Sequence, residues 1–155
     1  LAAKEGWRVY LLGGEPGVAR RAAENLAARY EGLVIAGTHH GYFSKDEEAF
    51  VLEEIKRAQP QILAVGLGSP KQELWLVEHK ETLQVPVALG IGGSFDVLSG
   101  QKKRAPRLLA QMGLEWAWRL AMEPSRLPRM MALPRFAAMV VKARLGGGGN
   151  RQQKL

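Results

Sequence analysis

At 155 residues, the chain is long enough for one domain with a real core and too short for two comfortable ones. It holds no cysteine, which excludes a disulfide framework and a thiolate metal site, and it lacks the run of about 18 apolar residues that would span a membrane. Its net charge of +7 is uneven: residues 1–100 carry 10 Lys/Arg against 13 Asp/Glu, and residues 101–155 carry 12 against 2. A mildly acidic body with a strongly basic C-terminal third points to an anionic partner, whether phosphate, nucleic acid or a membrane surface.

In chain order, "LAAKEGWRVY" reads as the last turn of a helix and not as a signal peptide, since its apolar stretch is too short and carries both charge signs. "WRVYLLGG" is a strand ended by two glycines. "EPGVARRAAENLAARY" follows as a helix, with Val18, Ala22, Leu26 and Ala27 at helical spacing. "LVIAG" is a second strand. "SKDEEAFVLEEIKRAQ" is a second helix, with Ser44 as N-cap and Glu47 completing a capping box. "ILAVGLG" is a third strand, "PKQELWLVEHKETL" a third helix with Pro70 suited to its first position, and "VPVALGIGG" a fourth strand.

Strands that are apolar throughout and alternate with helices predict βαβ units in a parallel sheet of about four strands. Beyond Gly93 the pattern changes. "SFDVLSGQKKRAP" reads as a loop, and "RLLAQMG" and "LEWAWRLAME" as short helices. Prolines at 124, 128 and 134 rule out one regular helix there. "RFAAMVVKARL" has the pattern of a basic amphipathic helix, and "GGGGNRQQKL" that of a flexible tail.

In such a sheet, ligands sit beyond the carboxyl ends of the strands, where three glycine-bearing loops occur: "LGGEPG", "GLGSPKQE" and "GIGGSFDVLSG". None has the full Gly-x-Gly-x-x-Gly spacing, and the second strand ends without an acidic residue for a ribose hydroxyl, which argues against a nicotinamide cofactor. No Gly-Lys-Ser/Thr follows a glycine loop, which argues against a nucleoside triphosphatase. His39 and His40 are adjacent and on an extended segment point opposite ways, with His79 far off, so a zinc site is not expected. "KDEE" at 45–48 reads as a solvated, dipole-matched helix start, and Trp116 and Trp118 as packing residues. Asp96 is either a turn cap or a site carboxylate, with Phe95 beside it to bury or to stack. Arg119, Arg126 and Arg129 are guanidinium forks suited to phosphate oxygens, or else part of a general basic surface.

With these residues assembled, the chain resembles the WecG/TagA/CpsF glycosyltransferases from about Gly6 to Ala143. The carriers are "VYLLGGEPGVA", "HHGYF", "GLGSPKQELW", "GIGGSFDVLSGQKKRAP" and "GLEWAWRLAMEPSRLPR". The resemblance implies a Rossmann-like α/β domain over residues 1–112, a basic helical appendage over 113–145 and a tail over 146–155. It implies an inverting enzyme that moves N-acetylmannosamine or a related hexosamine from a UDP donor to a polyprenyl-diphosphate-linked sugar. Members serve teichoic acid, common antigen, capsule or exopolysaccharide synthesis.

Carried over by position, Gln72 matches a glutamine of the catalytic pocket, and Glu73 positions ligand or braces the loop. Gly68, Ser69, Gly92, Gly93, Phe95 and Asp96 fall in loops near the nucleotide. Arg119, Arg126 and Arg129 match appendage arginines that hold the diphosphate. With arginines in place of a divalent metal, and without an Asp-x-Asp motif, no metal or other cofactor is expected. Work at the cytoplasmic face of an anionic membrane is expected, with self-association open and no nucleic acid partner. The competing reading is a nucleotide- or nucleic-acid-binding module without transferase activity. The family's preceding segment, with the aspartate proposed as general base, has no counterpart here, so the chain is read as the C-terminal part of a longer enzyme and as inactive alone.

Overall fold

Four apolar runs form the parallel strands β1 (Arg8–Gly13), β2 (Val34–His39), β3 (Ile62–Gly66) and β4 (Val87–Gly90) in a computed structural model that describes residues 1–102, 106–122 and 139–140. Helix α1 (Ala2–Glu5) precedes β1 and ends at Gly6, while α2 (Val18–Arg29), α3 (Lys45–Ala58) and α4 (Lys71–Leu83) each return the chain to start the next parallel strand. The strand order is β2-β1-β3-β4. The expected α/β architecture with a four-stranded parallel sheet and flanking helices is thus the observed one.

The core follows from the period of two in the strands. Tyr10 and Leu12 of β1 join Leu63 and Val65 of β3 on one face, against Val51 and Ile55 of α3 and Trp75 of α4. Leu11 turns to the other face and packs with Val18, Ala19, Ala22 and Ala23 of α2. Burying each of the Leu, Ile and Val side chains stabilises by about 1.5–3 kcal/mol before entropy is counted.

The start of α3 is set locally. The Glu47 backbone N–H donates to the Ser44 hydroxyl at 3.2 Å, and the Ser44 backbone N–H donates to the Glu47 carboxylate at 2.7 Å. Those bonds hold the Glu47 carboxyl below its ordinary range, the Ser44 backbone first among the causes. Ser44→Ala is expected to lower stability by about 1 kcal/mol in chemical denaturation, the usual worth of an N-cap. A change below a few tenths would show that tertiary packing alone holds the helix start.

Two expectations need correction. "SFDVL" is helical, not loop: α5 spans Ser94–Leu98, and its closing turn is made by the Ser99 N–H donating to the Phe95 carbonyl at 2.8 Å. A five-residue helix is too short to show a 3.6-residue period, and burial of Phe95 against α2 stabilises it instead. Pro70 is the N-cap of α4 and not its first helical residue, a shift of one position within the ordinary play of helix ends.

By internal contacts the chain divides into two units, Leu1–Arg104 and Ala105–Leu155. In the second, α6 (Arg107–Gln111) and α7 (Glu115–Met122) correspond to the two short helices read from the sequence. The Leu114 N–H donates to the Leu109 carbonyl at 2.8 Å across the turn between them. Met139 and Val140 are helical; the rest of the expected amphipathic helix, the three prolines and the tail lie outside the described residues.

Candidate active site

The order β2-β1-β3-β4 makes the chain leave β1 toward one side of the sheet and β3 toward the other. The carboxyl ends of β1 and β3 are therefore the switch point, where a doubly wound sheet opens a crevice. In register, Gly13 pairs with Gly66 at that point. A Cβ on Gly13 would stand 2.6 Å from the Gly66 carbonyl carbon, and one on Gly66 would stand 2.8 Å from the Gly92 oxygen and from Phe95 Cδ2. Only glycine lets these backbones approach so closely. The Gly14 N–H donates to the Gly66 carbonyl at 3.1 Å and the Gly41 N–H to the Gly14 carbonyl at 2.8 Å, so the segment after β2 joins the same cluster. All three glycine-bearing loops singled out from the sequence converge here.

Gln72, in the first turn of α4, is 5% exposed. Its Oε1 accepts the Gly92 backbone N–H at 2.9 Å, and its Nε2 donates to Glu73 Oε1 at 2.8 Å. The Gln72 amide, followed by Glu73's own backbone N–H, holds the Glu73 carboxyl below the usual carboxylate range. Asp96, in α5, meets Lys102: Nζ stands 2.6 Å from Oδ2, and the Lys102 backbone N–H donates to the Asp96 carbonyl at 2.9 Å. Gly93 is the N-cap of α5, and Gly68 and Gly92 have left-handed backbones. Ser69 and Pro70 are joined by a cis peptide bond. Phe95, 1% exposed, is buried between α2 and the sheet and does not present its ring to the crevice.

The description "Glycosyl transferase WecG/TagA/CpsF family" matches residues 1–150. The chain belongs to this family. It is 36% identical over 137 residues to a Staphylococcus aureus (strain MW2) protein named N-acetylglucosaminyldiphosphoundecaprenol N-acetyl-beta-D-mannosaminyltransferase, covering 88% of this chain and 53% of that one. A Bacillus subtilis (strain 168) protein of the same name is 35% identical over 142 residues, covering 92% of this chain and 55% of its own length. The chain thus spans about half the length of the curated relatives it matches.

Of the family residues carried over from the sequence, Gly68, Ser69, Gln72, Glu73, Gly92, Gly93, Phe95 and Asp96 all belong to the Leu1–Arg104 unit. Arg119 lies on α7, without a described side chain, and Arg126 and Arg129 lie outside the described residues. No helix among the described residues is long and apolar enough to cross a membrane.

The histidines differ from expectation. The His39 and His40 rings stand 4.5 Å apart between centroids and do not diverge, because β2 ends at His39 and the extended geometry ends with it. His39 Nδ1 lies 2.9 Å from the His40 carbonyl, a hydrogen bond that requires the proton on Nδ1. Among the described residues, no group of three or more His, Asp or Glu side chains is placed to hold a metal ion. Nearby, a cleft of about 450 Å³ is lined by Gly17, Arg20, Arg21, Thr38, His39 and His40.

Sequence reasoning missed one polar cluster. Glu48, read as part of a solvated helix start, accepts the Trp75 indole N–H at 2.7 Å and stands 3.3 Å from His79 Nε2. Trp75 and His79 are four residues apart and so share a face of α4, a spacing visible in the sequence; the partner 27 residues away from Trp75 was not.

Proposed function

We propose that this chain supplies the donor side of an inverting transferase site that moves N-acetylmannosamine, or a related hexosamine, from a UDP donor to a polyprenyl-diphosphate-linked sugar. Family membership and the relatives' names support the reaction class. The observation that carries the location is the convergence of the loops after β1, β3 and β4 at the switch point of the sheet. The first turn of α4, beginning after Gly68 and Ser69, brings a helix N-terminus to that crevice, where its partial positive charge suits phosphate.

In this reading, an acceptor hydroxyl attacks the anomeric carbon as the bond to the diphosphate oxygen breaks. UDP leaves with the electron pair, and a base takes the hydroxyl proton. Gly68, Ser69, Glu73, Gly92, Gly93 and Asp96 shape the donor site, with Phe95 supporting the loop from below. Arg119, Arg126 and Arg129 neutralise the departing diphosphate, which replaces bulk water with fixed charge where charge develops. The net +10 of residues 101–155 suits work at an anionic membrane face.

Calorimetric titration with UDP, without added metal and with NAD as control, tests the proposal. UDP is expected to bind and NAD is not; a folded chain that ignores UDP overturns the donor-side assignment. Arg126→Ala is expected to weaken UDP binding by about 1.5–3 kcal/mol, the worth of a charged hydrogen bond. Unchanged affinity would remove Arg126 from the diphosphate.

A further inference from the structure

We propose that Gln72 is a positioning residue whose side-chain amide sets the β4–α5 loop and the Glu73 carboxylate in one arrangement, without itself reaching substrate. The inference rests on the donor-site reading above. The amide is buried, and each end is engaged within the protein: its oxygen takes the Gly92 N–H at 2.9 Å, and its nitrogen gives a hydrogen to Glu73 at 2.8 Å. At 5% exposure the amide is withdrawn from the open crevice, and the partners it meets at both ends belong to the protein.

The surroundings are shaped for that amide. A Cβ on Gly90 would stand 2.7 Å from Gln72 Nε2 and 3.1 Å from Cδ, so the glycine at the end of β4 leaves the slot the amide fills. From the sheet side, the loop is held by the Ile91 N–H donating to the Val65 carbonyl at 2.8 Å. Gln72 holds it from the helix side, across 20 residues of sequence. Gly92 and Gly93 lead directly into α5 and Asp96, so the amide determines where that helix begins.

The chemistry needs an amide in particular. Only a side chain with an acceptor and a donor on one planar group satisfies a backbone N–H and a carboxylate together. Glutamate keeps the acceptor and loses the donor, methionine loses both at similar shape, and asparagine is one methylene short. Glu73 faces solvent, but the Gln72 amide is buried, so its bond to the Gly92 N–H is stronger than at the surface and leaving the amide unpaired is costlier.

The test measures three quantities on the full chain: exchange of the Gly92 amide hydrogen by NMR, UDP affinity by calorimetry, and melting temperature. Gln72→Met is expected to speed Gly92 exchange and weaken UDP binding about tenfold each, the scale of one buried hydrogen bond. Gly90→Ala reaches the same amide from the other side: its methyl group pushes only the flexible end of Gln72. It is expected to reproduce both losses, with a melting temperature lowered about as far as in Gln72→Met. Glu73→Gln, which keeps an acceptor for Nε2, is expected to leave Gly92 exchange as in the wild type.

Unchanged Gly92 exchange in both Gln72→Met and Gly90→Ala would overturn the tie between helix and loop. Faster exchange with unchanged UDP affinity would overturn the positioning role. Wild-type chain that fails to bind UDP overturns the donor-site reading and the role built on it, and that failure shows before any variant is made.

Discussion

Phe95→Ala is expected to lower the stability of the Leu1–Arg104 unit by about 3–5 kcal/mol, the cost of emptying an aromatic site in a packed core. Phe95 is 1% exposed and packs with Leu11, Val18, Ala19, Ala22 and Ala23, with Ile91 and Leu98 at its margin. Its ring also occupies the space where a side chain on Gly66 would be, 2.8 Å from that Cβ position. The ring therefore supports β3 and the β4–α5 loop together. Denaturation in urea should show the loss as a lower midpoint with an unchanged slope. Phe95→Leu, which keeps more of the volume, is expected to cost less than about 1.5 kcal/mol. If Phe95→Ala left stability intact and weakened only UDP binding, the ring would be a ligand contact, contrary to its burial.

Gly13→Ala is expected to be comparably severe, at about 2–6 kcal/mol, because two costs coincide. Its backbone φ of 139° is one that L residues rarely adopt, which carries about 1–3 kcal/mol. The added methyl would also stand 2.7 Å from the Gly66 Cα and 2.6 Å from its carbonyl carbon, backbone atoms that cannot swing aside. Overpacking of that kind costs another 1–3 kcal/mol or so. Gly68→Ala is the control: its φ of 80° is also positive, but a Cβ there meets nothing within 4 Å, so only about 1–2 kcal/mol of left-handed strain is expected. Equal losses at the two positions would mean that backbone strain alone, without the Gly13–Gly66 approach, explains the first.

Much of the fold was legible in the sequence because the signals were local. The run "WRVYLLGG" became β1, "ILAVGLG" became β3, and the Ser44–Glu47 capping box formed at the start of α3 as the spacing requires. Each depends on residues within four positions of one another, which is the range over which propensity and capping act. The three glycine loops were legible as turns for the same reason. The family motifs were legible as strings of residues, and the family match spans residues 1–150.

Side-chain surroundings were not legible in the same way. Gln72 and Glu73 are neighbours of similar polarity, yet the Gln72 amide is buried against a loop 20 residues on while Glu73 is exposed. Phe95 could equally have faced a ligand until α2 packed over it. Glu48 was indistinguishable from the other acidic residues at the start of α3 until α4 laid Trp75 and His79 against it. The short α5 carried no periodic signal of its own. By itself, then, the amino-acid sequence determined the order and type of the strands and helices, because those follow from short-range pattern. Which polar groups lie inside, and which loops meet at the switch point, was decided by the tertiary structure, since burial and strand order depend on contacts between segments far apart in the chain.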